Sequence, residues 1–172
     1  MKHVVLPFTF ILFFYLESVF VNLLPSTMMA EGRMIQPHFL LVLFLITTAF
    51  YSRNKTLLYG FIFGLLFDIY YTGILGIYLV LFPISIYTMN KLLRILNANL
   101  FTISICILLL ITGNEFLEYT FALIVYQVDT DVNFFMKSQL VPTLIANFIF
   151  LLIAYFPLKH WLVKNREAFG MD

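Results

Sequence analysis

Charge is what this sequence has least of. Only 11% of its 172 residues are Asp, Glu, Lys or Arg while 62% are hydrophobic, and a soluble domain carries about 25% charged residues. That shortage excludes water as the solvent for most of the surface, because a soluble chain must show polar side chains at the helical period. Cysteine is nearly absent too. Cys106 stands alone in the apolar run ISICILLLI, which excludes an intrachain disulfide. The sequence lacks G-x-S-x-G, a phosphate-cradling glycine loop, H-E-x-x-H and C-x-x-C, so no hydrolase or transferase constellation is present and neither catalysis nor a cofactor is expected. His3, His38 and His160 sit near span ends with no helical ligand partner, which gives no metal site. The basic residues are too few and too scattered for a nucleic-acid surface.

Long apolar runs are what the chain has instead. Crossing about 30 Å of hydrocarbon takes about 20 apolar residues in a helix. This ruler divides residues 1–172 into one all-α membrane domain of six transmembrane helices, over about 4–24, 37–51, 56–71, 74–90, 100–126 and 138–156. A short basic tail, 157–172, follows. Lys2 and His3 resemble the start of a signal peptide, but the run behind them is too long and no small-residue cleavage site follows, so the first helix is read as retained. Pro25 ends that helix, the basic knot Arg53-Asn54-Lys55 ends the second, Gly73 marks a tight turn and Pro157 ends the sixth. Pro83 is expected to kink the fourth helix. The fifth run is long enough that it must tilt, protrude or bend near Gly113-Asn114.

Orientation follows from lysine and arginine alone. Lys2, Arg53, Lys55, Lys91, Arg94, Lys159, Lys164 and Arg166 fall on one side of this plan, with only Arg33 and Lys137 on the other. Eight against two places both termini in the cytoplasm. Trp161 with Lys159 and Lys164 then anchors the tail at the headgroups.

Four carboxyl groups interrupt the apolar spans: Glu17, Asp68, Glu115 and Glu118. At about 1.5 Å of rise per residue, Glu17, Asp68 and Glu115 share one level in the outer half of the bilayer, with no basic residue expected at that depth. Their side chains must face the bundle interior, a partner or water, with Asn22, Asn114 and Asn147 at hand to bond them. The layer fits a proton, cation or substrate site and fits equally a polar cluster that holds helices in register. If Asp68 only holds helices together, Asp68→Asn should be tolerated.

Gly60, Gly64 and Asp68 recur every four residues and so share one helix face. Paired glycines let backbones approach closely, most simply within the fold and alternatively at a partner helix. Phe63 and Leu66 are then expected to face lipid. Gly73 and Gly76 let the chain turn back onto the same surface.

The segment YGFIFGLLFDIYYTGILGIYLV resembles the central signature of the rod shape-determining MreD family, G-x-x-x-G-L-x-x-D followed by a turn and L-G-x-Y, here carried by Gly60, Gly64, Leu65, Asp68, Leu75, Gly76 and Tyr78. Length, the six-helix plan and Glu17 in the first helix agree over the whole chain. The resemblance implies a non-enzymatic component of the bacterial elongation machinery in the plasma membrane. It implies direct binding to MreC, with MreB, a SEDS glycosyltransferase and a class B penicillin-binding protein as more distant partners. It also implies a fold similar to the S-components of energy-coupling-factor transporters, so a substrate-binding subunit of a vitamin transporter is the alternative. Against that alternative, the first helix, FTFILFFYLESVFVNLL, has none of the alanines with which S-components meet their motor subunit.

Overall fold

In the computed structural model the described residues are 2–23, 34–125, 127 and 130–165, and nearly all of them are helical. Glu31, Gly32, Arg33 and Arg166 lie outside them. Among the described residues there are six helices: α1 (Lys2–Leu23), α2 (Phe39–Phe50), α3 (Arg53–Phe67), α4 (Ile77–Ile95), α5 (Leu100–Val125) and α6 (Val132–Lys164). α3 is prolonged by a wider turn, Asp68–Thr72. Among the described residues, three helices, α1, α5 and α6, are each long and apolar enough to cross a membrane, and no strand is present.

α2 is the centre of the bundle. It is apolar all round, Phe39 to Thr48 are all buried, and it touches every other helix. A helix with no polar face belongs inside. Its 12 residues rise only about 18 Å, short of the roughly 30 Å of hydrocarbon. The deficit is made up by a non-helical lead-in, Met34 to His38. Phe10, Phe44, Phe63 and Phe82 close around α2, with ring centroids 4.7 Å apart for Phe10 and Phe44 and 5.6 Å for Phe44 and Phe82.

Several helix limits differ from the sequence reading. The basic knot Arg53-Asn54-Lys55 does not end α2 but opens α3. Pro157 does not end a helix: α6 runs through it to Lys164 with Leu162 1% exposed. Proline lacks only its own N–H donor, and packing of the next two turns on the core outweighs that loss. Residues 158–164 therefore belong to the bundle. α6 also starts earlier than expected, at Val132, where Asp131 accepts a hydrogen bond from Asn133 N.

The two ends of the bundle are chemically unlike. Arg53, Lys55, Lys91, Arg94, Lys159 and Lys164 gather at one end, where Arg53 lies 4.8 Å over the Tyr87 ring and Lys159 5.5 Å over Tyr155. Such cation–aromatic pairs suit an interfacial belt. The opposite end holds the buried carboxyl groups.

Candidate functional site

The lead-in to α2 sets up the site. Pro37 cannot donate a hydrogen bond and disfavours a helical residue before it, so Met34 to His38 stay outside the helix and their polar backbone needs partners inside the bundle. α6 supplies them. Gln36 N donates to Thr143 Oγ1 at 3.0 Å, His38 N to Asn147 Oδ1 at 2.8 Å, and Asn147 Nδ2 to Gln36 O at 3.0 Å. Met34 N donates to Ser138 O at 3.0 Å. That carbonyl lies four residues before Pro142, which has no N–H to offer it, and α6 widens by one residue per turn over Met136–Leu140. α1 completes the seat: Glu17 Oε1 accepts from Leu40 N at 2.9 Å and so caps the first turn of α2.

His38 then points at α5. Its Nε2 lies 2.7 Å from Glu115 Oε1, and Gln139 Nε2 donates to Glu115 Oε2 at 2.9 Å. Gln36, its amide nitrogen turned toward the carboxyl groups, donates to Glu115 at 3.1 Å and to Glu118 Oε2 at 3.2 Å. Glu118 follows Glu115 by three residues on the same face. The expectation of no basic residue at this depth is thus corrected: His38, placed by the lead-in rather than by a helix, meets Glu115. The signal for it was its position directly after Pro37 and directly before a wholly apolar run.

Above this network is an open cavity of about 690 Å³ between the ends of the helices, with Glu17, His38, Tyr71, Tyr78, Glu118 and Gln139 among the residues in its wall. Among the described residues, no hydrogen-bond donor is placed on the buried oxygens Glu17 Oε2 and Glu118 Oε1, and no lysine or arginine lines the space. Among the described residues, no group of three or more His, Cys, Asp or Glu side chains is placed to hold a metal ion.

Asp68 does not belong to this cluster. It is fully buried at the turn between α3 and α4, where Oδ2 accepts from Gly76 N at 2.7 Å and Leu79 N at 3.1 Å while Oδ1 accepts from Tyr78 N at 2.8 Å. Both oxygens face donors, so an asparagine there would set its NH2 group against a backbone N–H. The expected tolerance of Asp68→Asn is therefore overturned. Gly76 adopts φ 116°, a conformation side chains other than hydrogen rarely allow, and this brings its N–H round to the carboxylate.

The glycine face packs within the fold. A Cβ on Gly64 would lie 2.5 Å from the Tyr78 carbonyl oxygen, and one on Gly60 2.6 Å from the end of Ile86. The backbones of α3 and α4 meet here as the small-residue spacing implies. Phe63 does not face lipid; it is 4% exposed and lies against Phe10 and Phe44, and Leu66 packs at the core's edge. Phe61, Ile62 and Leu65 take the outer face. None of the three asparagines bonds a buried carboxyl group: Asn114 pairs with Ser85 on α4 at 3.1 Å, Asn22 bonds Ser18 O, and Asn147 holds the lead-in.

The sequence matches the family described as rod shape-determining protein MreD over residues 2–165. The chain belongs to the MreD family. It is 29% identical over 167 residues to the rod shape-determining protein MreD of Bacillus subtilis (strain 168), covering 97% of each chain. It is 26% identical over 151 residues to the cell shape-determining protein MreD of Streptococcus pneumoniae (strain ATCC BAA-255 / R6), covering 88% of each. No solved structure matches it. The MreD signature read from Gly60, Gly64, Leu65, Asp68, Gly76 and Tyr78 coincides with the α3–α4 turn, which gives those residue types a physical reason: two glycines for the close approach, a carboxylate for three backbone donors, and a third glycine for the left-handed turn. As a member of the MreD family, the protein has a role in rod shape.

Proposed function

We propose that this MreD-family chain is a non-enzymatic scaffold in the bacterial plasma membrane that binds MreC and thereby helps to organise lateral peptidoglycan synthesis and cell shape. MreB, a SEDS glycosyltransferase and a class B penicillin-binding protein are its more distant partners, and the helices are arranged like those of S-components. The family match along nearly the whole chain carries this reading. The basic end, with Arg53, Lys91 and Lys159, faces the cytoplasm by the positive-inside rule, and the carboxyl end faces outward. Asp68, Glu115 and one oxygen of Glu17 are taken up by helix capping and one His–Glu pair, structural uses that suit a binding scaffold.

The test is recovery of MreC on tagged chain from membranes, together with rescue of rod shape in cells lacking the native protein. Rescue without any MreC recovered, in several detergents and after crosslinking, overturns the scaffold reading. For orientation, a cysteine at Asp131 should react with an impermeant maleimide from outside and one at Lys55 should not. External labelling at Lys55 overturns the plan.

A further inference from the structure

The cavity between the helix ends has a chemistry that the scaffold role leaves unused. Two of its wall residues, Glu17 on α1 and Glu118 on α5, each keep one carboxyl oxygen buried and without a donor. Glu17 is only 4% exposed, so its Oε2 has no bulk water to turn to, and an unmet buried acceptor is costly. The neighbouring donors are already engaged: His38 and Gln139 with Glu115, Gln36 with Glu115 and Glu118, the Tyr78 hydroxyl with Glu118, and Leu40 N and Phe39 N with Glu17. Asp68, by contrast, is fully met. Among the described residues, no lysine or arginine in the wall answers the two open oxygens. The wall also carries aromatic rings, among them Phe67, Tyr71, Tyr119 and Phe121. Acid oxygens beside ring faces attract cations bearing N–H donors. A space of about 690 Å³ is of the size that takes a small organic molecule.

We infer that this cavity binds an organic ammonium group, a primary amine carried on an apolar or aromatic body, with Glu17 Oε2 and Glu118 Oε1 accepting from its N–H donors. The amine is either a free small molecule or the headgroup of an aminophospholipid. The inference stands whether or not the chain binds MreC, and its test contains no MreC.

The probe is 4-fluorobenzylamine, followed by its fluorine NMR line width with purified full-length protein in detergent and in nanodiscs of phosphatidylglycerol. Saturable broadening is expected with the amine and not with 4-fluorobenzyl alcohol. Glu17→Gln, which keeps an oxygen for Leu40 N, and Glu118→Gln should each weaken binding about tenfold or more. Ala122→Trp, which puts a large ring into the cavity, should abolish it. Thermal reactivity of the buried Cys106 thiol shows that each variant is folded. In nanodiscs of phosphatidylethanolamine, loss of the probe signal, with that lipid retained by the wild type but not by the glutamine variants in native mass spectra, identifies the headgroup as the ligand. An undiminished probe signal there identifies a free amine. Equal broadening by the alcohol, unchanged binding in folded glutamine variants, or no binding of probe or lipid in any medium overturns the inference.

Discussion

Two helices begin inside the apolar part of the bundle, and their first turns are satisfied in opposite ways. At the start of α4 one carboxylate, Asp68, takes three backbone N–H groups that follow it by 8 to 11 residues. At the start of α2 the donors and acceptors of the lead-in are met by Glu17, Thr143 and Asn147, which lie 23, 107 and 109 residues away in the sequence. The first arrangement is a local device that the α3–α4 hairpin carries with it. The second exists only when α1, α2 and α6 are all in place. Membrane helices must satisfy every polar backbone group within the protein, and the contrast shows that this requirement leaves open whether the partner is a neighbour in sequence or not.

The difference has measurable consequences, which the reaction of a maleimide fluorophore with Cys106, buried in the core, reads as thermal unfolding. The largest loss is expected for Asp68→Ala, which strands three N–H groups, and Asp68→Asn should approach it, each costing about 3 kcal/mol or more. A near-native midpoint for the asparagine variant would break the claim that both oxygens are needed. Next comes Gly64→Ala, whose added methyl meets a backbone carbonyl rather than a movable side chain; about 2–3 kcal/mol is expected, with Gly64→Leu worse and Leu65→Ala on the lipid face mild. Asn147→Leu should cost about 2 kcal/mol, less than the Asp68 variants because Thr143 and Ser138 still hold the lead-in. A loss as large as that of Asp68→Ala would show that the long-range seat depends on one side chain after all. The smallest effect is that of Gly113→Ala. Its Cβ enters open space in mid-helix, and a stabilisation of up to about 1 kcal/mol is expected from helix propensity alone.

The same contrast explains what could be read from the sequence. The α3–α4 device was legible because its parts are close together: Gly60, Gly64, Asp68 and Gly76 are spaced by one helix face and one turn, and each residue type has a local reason to be there. The number of helices was legible from the apolar runs. The cluster at the α2 lead-in was not. Glu17, Glu115 and Glu118 announced themselves as carboxyl groups in apolar runs, but counting residues along each helix placed Asp68 beside them, when a turn of π-helical width and a glycine keep it at its own N-terminus. His38 shows no helical ligand spacing, because its place is governed by a non-helical segment that sequence periodicity does not reveal. The limit placed at Pro157 failed because an apolar face on residues 158–162 outweighs one missing donor.

The Ser138 carbonyl, left without an intrahelical donor by Pro142 and taken by Met34, sets a clock on biosynthesis. The lead-in emerges from the ribosome early and its partner Asn147 comes 109 residues later, which at bacterial or eukaryotic synthesis rates is roughly 5–20 s. During that interval the 12-residue α2 has neither the length to cross the bilayer by itself nor anything to complete it. The newborn chain must therefore keep its future centre at the translocon or with an insertion chaperone until its last helix arrives. A chain cut short before α6 should be cleared by membrane proteases with a half-life far below that of the intact protein.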